Sequence, residues 1–461
     1  MSEDGVSAPL LGRCGFYVEK KKRYCKMVVA KGKTFCGEHA IAATQEDDRK
    51  RIPCPLDPKH TVFEDQLAKH LKKCNSREKP KPVYYIQDIN AGHEEDVEQM
   101  PLSSRSKEDL DLLIKRLKKA IRGLTCKHEE KILSHTALHE ALNDTKNGDF
   151  AFKHLKQQAS ILGNMDSLGL LGPNRCFVEF GAGKGKLSHW IDICLQAADN
   201  VHFLLVERAT TRFKVDGKHK SRRPVFERLQ VDIQHLCLSK VPFLRDQKPP
   251  VVGIGKHLCG TATDLALRCL LESHPCNSEA RDTEPSQKRL RLELPDGGSG
   301  EVEEGQPSLA PDPSSEARKG LKVAGVAIAL CCHHRCDWRH YVGREFFRVL
   351  GLGATEFSAF QRMSSWATCG LRRPHSDRTP PQENTEDQEE HEQGVESENS
   401  FDGVLCAEDR EHIGRLCKLL IDHGRVYYLQ QKGYTAMLQY YTSPDVSLEN
   451  VLLTAFPAKT T

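Results

Sequence analysis

From about residue 172 the chain alternates between short apolar runs and helix-length segments of mixed polarity. The runs are CFVEF (176–180), VHFLLVE (201–207), VVGIG (251–255) and VAGVAIALCC (323–332). β-rich apolar runs separated by helical patterns predict a parallel sheet covered on both faces, an α/β architecture. The C-terminal YTAMLQYYTSPDVSLENVLLTAF reads as two strands joined by a turn, an antiparallel pair ending the sheet. Upstream, Leu110, Ile114, Leu117, Ile121 and Leu124 recur at spacings of four and three. That period predicts an amphipathic helix, packed on its own domain or paired in coiled-coil fashion with residues 130–142.

Two stretches break the pattern. Residues 274–320 and 373–402 are rich in Glu, Pro, Ser and Gly and poor in apolar residues, so they are expected to be disordered insertions. The resulting division is a Cys-spaced basic segment (10–40), a second Cys/His segment (50–78), a linker (79–104) that opens on KPKPVYY, a helical segment (105–150), and a catalytic-sized domain (151–461).

Composition narrows the class. Of 461 residues, 38% are hydrophobic and 28% charged, and the longest strongly apolar run, Val323 to Cys332, is too short to cross a bilayer. The N-terminus has no charged-then-apolar signal pattern, so the expectation is a soluble intracellular protein of the nucleus, the cytoplasm or both. In a reducing compartment, eighteen cysteines read first as metal ligands or buried apolar residues. Net charge is only +3, but residues 1–82 carry 18 Lys/Arg against 11 Asp/Glu, whereas residues 381–400 carry eight acidic and no basic residues. The basic end is the one suited to an anionic polymer.

The most informative segment runs from Phe177 to Ser188, where a strand leads through Gly181, Gly183 and Gly185 into a helix. Such a loop lets backbone approach a cofactor closely. A dinucleotide fingerprint would need glycine at 186, where Lys186 stands; a P-loop ending in Gly185-Lys186 would need glycine at 180 and Ser or Thr at 187, where Phe180 and Leu187 stand. Glu179-x-Gly181-x-Gly183-x-Gly185 instead resembles the first motif of Rossmann-like class I methyltransferases, which bind S-adenosylmethionine. Glu207, closing the second strand, is placed to accept ribose hydroxyls. Asp232, after the third, is placed as an acid that meets the adenine amino group in that class.

Two Cys/His sets lie upstream. Cys14, Cys25, Cys36 and His39 form C-x10-C-x10-C-x2-H; Cys54, His60, His70 and Cys74 form C-x5-H-x9-H-x3-C. Four soft or borderline donors suit tetrahedral zinc, and His70 and Cys74 would share one face of a helix. Each module is too small for its own core, so a metal staple is a physical requirement. Lys20, Lys21, Lys22, Arg23 and Lys26, then Lys69, Lys72 and Lys73, give both modules basic faces for RNA. A third concentration, Cys331-Cys332-His333-His334-Arg335-x-Asp337-Trp338, is poorly suited to one ion, because neighbours on a strand point to opposite faces. Like Lys256-His257-Leu258-Cys259-Gly260-Thr261-Ala262-Thr263-Asp264, it reads as substrate-site chemistry at a strand's carboxyl end.

The order of these parts, a Cys3His finger, a CHHC finger, EFGAGKG, KHLCGTATD and ALCCHHRC, resembles the eukaryotic tRNA 2′-O-methyltransferases that act on nucleotide 4 of the acceptor stem. The second finger also resembles the CHHC finger of a minor-spliceosome protein. The resemblance implies methyl transfer from S-adenosylmethionine to a ribose hydroxyl, two structural zinc ions, and tRNA as partner, with a monomer favoured. Lys256, His257 and His333 are then the candidates for removing the hydroxyl proton, and Arg335 for gripping a phosphate or the cofactor carboxylate. Lys256 could serve as base only if burial or a neighbouring cation lowers its pKa. Rival readings are a methyltransferase for a protein or small molecule, and a non-catalytic RNA-binding protein.

Overall fold

The computed structural model describes residues 11–19, 23–29, 32–36, 39, 51–74, 76–77, 80–92, 100–124, 128–209, 226–272, 320–368 and 405–459, with Lys59 and His257 described by backbone alone. Lys20, Lys21, Lys22 and the two expected insertions, apart from Gly320, lie outside these residues. The chain divides into two compact units, Met1–Pro82 and Val83–Thr461.

The first unit holds two small hairpins. β1 (Tyr17–Val18) pairs with β2 (Arg23–Tyr24), and β3 (Arg51–Cys54) with β4 (Asp57–Phe63), which leads to a short helix α1 (Leu67–Leu71). Cys14, Cys36, Cys54, Cys74 and Val62 are its buried apolar residues among those described.

The second unit is built on an eight-stranded sheet. In chain order its strands are β5 (Glu129–Glu130), β6 (Arg175–Phe180), β7 (Val201–Glu207), β8 (Phe226–Gln230), β9 (Val251–Cys259), β10 (Val323–Cys331), β11 (Tyr434–Tyr440) and β12 (Val451–Pro457). Their order across the sheet is β5-β11-β12-β10-β9-β6-β7-β8. β8, β7, β6, β9 and β10 run parallel, and β12 enters antiparallel between β10 and β11. The expected C-terminal antiparallel pair is therefore present, but β5 rather than β11 forms the edge.

Helices cover both faces. After α2 (Lys107–Arg122), which is considered below, α4 (Asp149–Ser167, following the short α3, His139–Asn143) and α5 (Lys186–Cys194) pack Ile161, Leu162, Leu187 and Ile191 against Phe177, Phe203 and Ile254 on one face. On the other, α6 (Pro242–Gln247) and α7 (Thr261–Leu271) supply Leu244, Leu267 and Leu270 to Val178, Leu204 and Val326. A third apolar cluster joins α2 to α8 (Arg344–Val349), α9 (Ala354–Met363) and α10 (Ala407–Gln431) through Leu110, Leu117, Phe347, Phe360, Cys417 and Ile421. Ser106 caps α2 by accepting the Asp109 N–H at 3.1 Å, and its apolar stripe is buried as the spacing predicts. Its partner is α10, not residues 130–142, which form β5 and α3 beneath the sheet's other cluster. Among the described residues no helix is long and apolar enough to cross a membrane.

Two further features depart from the sequence reading. The segment expected to be a linker is partly a strap: Tyr84 and Ile86 hydrogen-bond the backbone of Cys237 and His235, and buried Asn90 donates to the carbonyls of Ile233 and Leu236. β9 also continues four residues past VVGIG. Ile328 pairs with Gly255 and Leu330 with Leu258, so Ala329 faces both Lys256 and His257, a bulge of a kind uncommon between parallel strands.

Close backbone approach fixes α10. Tyr341 is fully buried, donates to the Ile421 carbonyl at 2.7 Å, and fills the space where a Cβ on Gly424 would stand. Gly424→Ala is expected to lower the unfolding free energy by about 1–3 kcal/mol through overpacking, read from the urea midpoint. An unchanged midpoint would mean that the helix yields without cost.

Candidate active site and metal centres

The glycine loop is held by three adjacent strands. Gly181, Gly183 and Gly185 all have positive φ (59°, 47° and 68°), a region that disfavours side chains. The Gly183 N–H donates to Glu207 Oε2 at 2.9 Å, and its carbonyl accepts from Arg228 Nη1 at 3.0 Å. Glu207 ends β7 and Arg228 lies in β8, so the loop after β6 is clamped from both of its polar sides. A Cβ on Gly185 would come within 2.6 Å of Leu205 Cδ2, whereas one on Gly183 would meet nothing within 4 Å. Gly185 is thus needed for packing, and Gly183 borders open space.

Glu179 lies inside this frame. Its carboxylate accepts both the N–H and the hydroxyl of Ser188, the third residue of α5, and so satisfies a donor of the helix's first turn. Burial pushes its pKa up to about 7, against the Ser188 hydrogen bonds and the charges of Arg228 and Lys256. Asp232 follows β8 and caps the turn Ile233–His235 by accepting the Gln234 N–H at 3.0 Å.

Lys256 sits in the β9 bulge at 7% exposure. Burial, and after it the Lys186 ammonium, brings its pKa down to about 7, opposed by Cys331 and Glu179. That is the condition under which a lysine can act as base near neutral pH. Its Nζ is 2.7 Å from Nδ1 of His154 on α4, whose ring meets Phe150 edge-on at 4.5 Å. Neither His154 nor Arg228 stands in a motif, and nothing in the flanking sequence distinguishes them.

His257 is described by backbone alone. His333 is 2% exposed and pairs through Nε2 with Asp422 Oδ1 at 2.7 Å. Asp422 also accepts from Arg425 at 3.0 Å, and Arg425 reaches Asp264 at 2.7 Å, the Gly260 carbonyl and the Cys336 thiol. His333 thus belongs to a buried ionic network, apart from the His154–Lys256 pair in its bonding. Arg335 contributes its backbone carbonyl to Thr261 Oγ1 at 2.9 Å.

Both Cys/His quartets of the first unit converge, each with all its donor atoms within 4.8 Å of one another. In the CHHC set, Cys54 Sγ and Cys74 Sγ are 3.8 Å apart, His70 Nε2 is 3.2 Å from Cys54 Sγ, and the two His Nε2 atoms are 3.1 Å apart. In the other, His39 Nδ1 lies 3.4 and 3.3 Å from the sulfurs of Cys14 and Cys36, its ring stacked on Phe16 at 4.0 Å. Burial raises the Cys14 pKa, but hydrogen bonds from the Cys36 and Phe16 backbone and from His39 outweigh it and bring the thiol down to about 7. Both donor sets are consistent with zinc.

Comparison with known families agrees with this arrangement. The family described as "Methyltransferase TRM13" matches residues 156–456, "CCCH zinc finger in TRM13 protein" matches 12–40, and "U11-48K-like CHHC zinc finger" matches 51–75. The chain belongs to the TRM13 methyltransferase family. It is 61% identical to the tRNA:m(4)X modification enzyme TRM13 homolog of Mus musculus, over 98% of this chain and 96% of that protein. Identity to the Homo sapiens homolog is 62%, over 97% and 95%. The Saccharomyces cerevisiae enzyme is 29% identical over 96% of each chain. No solved structure matches. Both quartets fall inside the two matched finger segments, and the glycine loop, Lys256 and the Arg425 network fall inside the TRM13 methyltransferase segment.

The network makes a stability prediction. Removing one partner of a buried ion pair strands the other charge, at a cost of about 3–5 kcal/mol. Asp264→Ala should lower the urea unfolding free energy by about that amount, and a change below about 1 kcal/mol would contradict the pairing.

Proposed function

We propose that this TRM13-family chain is a Rossmann-like class I enzyme that transfers a methyl group from S-adenosylmethionine to the ribose 2′-hydroxyl of nucleotide 4 in the tRNA acceptor stem. The observation that carries the reading is the glycine loop, clamped by Glu207 and Arg228, with a depressed-pKa lysine on the neighbouring strand β9. Successive connections leave β6 toward β7 on one side and, later, reach β9 on the other, so the topological switch point lies between β6 and β9. Open α/β sheets bind ligands at that point, outside the carboxyl ends of the strands. The names of the relatives, tRNA modification enzymes over their full length, support tRNA as the substrate.

The residues present fit the cofactor. Open space beside Gly183 admits a ligand where a side chain would intrude. Glu207 would receive the ribose hydroxyls, since a carboxylate oxygen that accepts one N–H retains a second acceptor site. When bound, S-adenosylmethionine supplies an electrophilic methyl on a sulfonium. The protein's part is to orient the ribose hydroxyl and take its proton. Neutral Lys256 accepts that proton at Nζ, and the ammonium so formed donates a hydrogen bond to His154 Nδ1, which holds it in place.

The fingers, each with one zinc ion, would supply RNA contacts through exposed Arg23, Lys26, Lys69, Lys72 and Lys73, which suit phosphates. A-form RNA displays 2′-hydroxyls along its shallow minor groove, so the stem can be read by shape with no base flipped out. Such an enzyme acts as a monomer in the nucleus, the cytoplasm or both.

The deciding experiment is methyl transfer from labelled S-adenosylmethionine to unmodified tRNA, with the product mapped by ribose-methylation-sensitive cleavage. One protected position, nucleotide 4, is expected, and Gly183→Asp should abolish it by filling the open space. Unmodified tRNA alongside intact S-adenosylhomocysteine binding would reject the substrate and keep the enzyme. The base assignment has its own test. The single-turnover rate should rise with pH and level off above about 7, as Lys256 loses its proton. Lys256→Met should remove that limb and about 10²–10⁴-fold of the rate. A wild-type profile flat from pH 6 to 8 would exclude Lys256 as the base.

A further inference from the structure

Three cysteines outside the fingers converge at the carboxyl edge of the sheet. Cys259 is the last residue of β9 and Cys331 the last of β10; they are register partners, with sulfurs 3.3 Å apart. Cys332, next in the chain, would point to the opposite face if the strand continued. It does not continue: Cys332 is left-handed (φ 49°), a conformation disfavoured for any residue but glycine. The turn is held by the Cys332 N–H, which donates to Glu449 Oε1 at 3.1 Å, while Lys418 pairs with the other oxygen of Glu449. The result is that the three sulfurs all lie within 4.8 Å of one another, with Cys331 and Cys332 buried. Strand alternation therefore does not separate the two adjacent cysteines, because β10 ends at Cys331 and Cys332 turns out of it in a left-handed conformation.

We propose that Cys259, Cys331 and Cys332 bind one zinc ion, a third site besides those of the two fingers. A zinc–sulfur bond of about 2.3 Å places two sulfurs of one tetrahedral ion about 3.8 Å apart. The CHHC finger has its sulfurs at that spacing, 3.8 Å; the Cys259–Cys331 pair lies at 3.3 Å, and the Cys332 sulfur is within 4.8 Å of both. Three soft donors select zinc over magnesium or calcium, which take oxygen ligands. The fourth position of the tetrahedron is left to water or another bound group. The ion would tie the ends of the two central strands three residues beyond Lys256. It would also account for a strained cysteine where glycine or asparagine would adopt the same turn at less cost.

Native mass spectrometry of the full chain, purified in reductant and dialysed against buffered zinc, tests the assignment. The expected count is three zinc ions per chain, falling to two in Cys332→Ser and to one in a Cys14→Ser, Cys36→Ser, Cys54→Ser, Cys74→Ser variant that leaves only two ligands in each finger. The double finger variant decides even if Cys332→Ser fails to fold, since it leaves the cluster intact. Two ions in the wild type, no ion in the finger variant, or an unchanged count in Cys332→Ser would each overturn the proposal. So would a Cys259–Cys331 disulfide located by non-reducing peptide mapping, which would stand in place of a metal site.

Discussion

A guanidinium without solvent contact governs the carboxyl edge of the sheet. Arg425 reaches from the longest helix to Asp264 in the first turn of α7, to Asp422 one helical turn back, and to the Gly260 carbonyl and the Cys336 thiol. These partners follow β9, follow β10 and lie in α10, so one buried cation sets the relative positions of the loops around the candidate site. Two carboxylates face one guanidinium, and His333 shares Asp422 with it. Burial raises the Asp422 pKa, but His333 and Arg425 outweigh it and hold the carboxylate below its usual range. Buried ion pairs often contribute no more to net stability than apolar replacements would, and in some proteins their geometry selects one arrangement among many. Here the arrangement selected is that of the loops bearing the three cysteines and the end of β9.

The parts legible in the sequence are those written in local spacing. The glycine loop is a run of seven residues, the strands are apolar runs, and each quartet has fixed intervals, so a linear reading reaches them. In the fingers the link is tighter still. Among the described residues of the first unit, Val62 is the one buried hydrophobic that is not a proposed ligand. The metal set and the core are nearly the same residues, and binding free energy there is folding free energy.

What was not legible depends on residues far apart in the chain. His154 and Lys256 are 102 positions apart, Gly183 and Arg228 45, and Asp264 and Arg425 161. A lone histidine on a helix or an arginine on an edge strand carries no local mark of such partners. The sequence around His333 shows its reactive neighbours and not its partner, since the pairing with Asp422 is set by α10, nearly ninety residues on. The strap at Tyr84–Asn90 has the local composition of a linker, with proline and lysine preceding it, while its anchors lie near residue 235.

The bulge in β9 has a consequence for parity. Val251, with Gly253 and Gly255 in register behind it, faces the same apolar layer as Leu258, although odd and even positions of an unbroken strand face opposite ways. The strand is therefore two half-strands in antiphase, joined at Lys256 and His257. The extra residue lets Lys256 project toward α4 while Cys259 still lies beside Cys331. Chain length across this join is thus as much a determinant as residue identity. Substitutions here alter one side chain at a time, whereas loss of a single residue would exchange the faces of everything that follows, up to the glycine at 260.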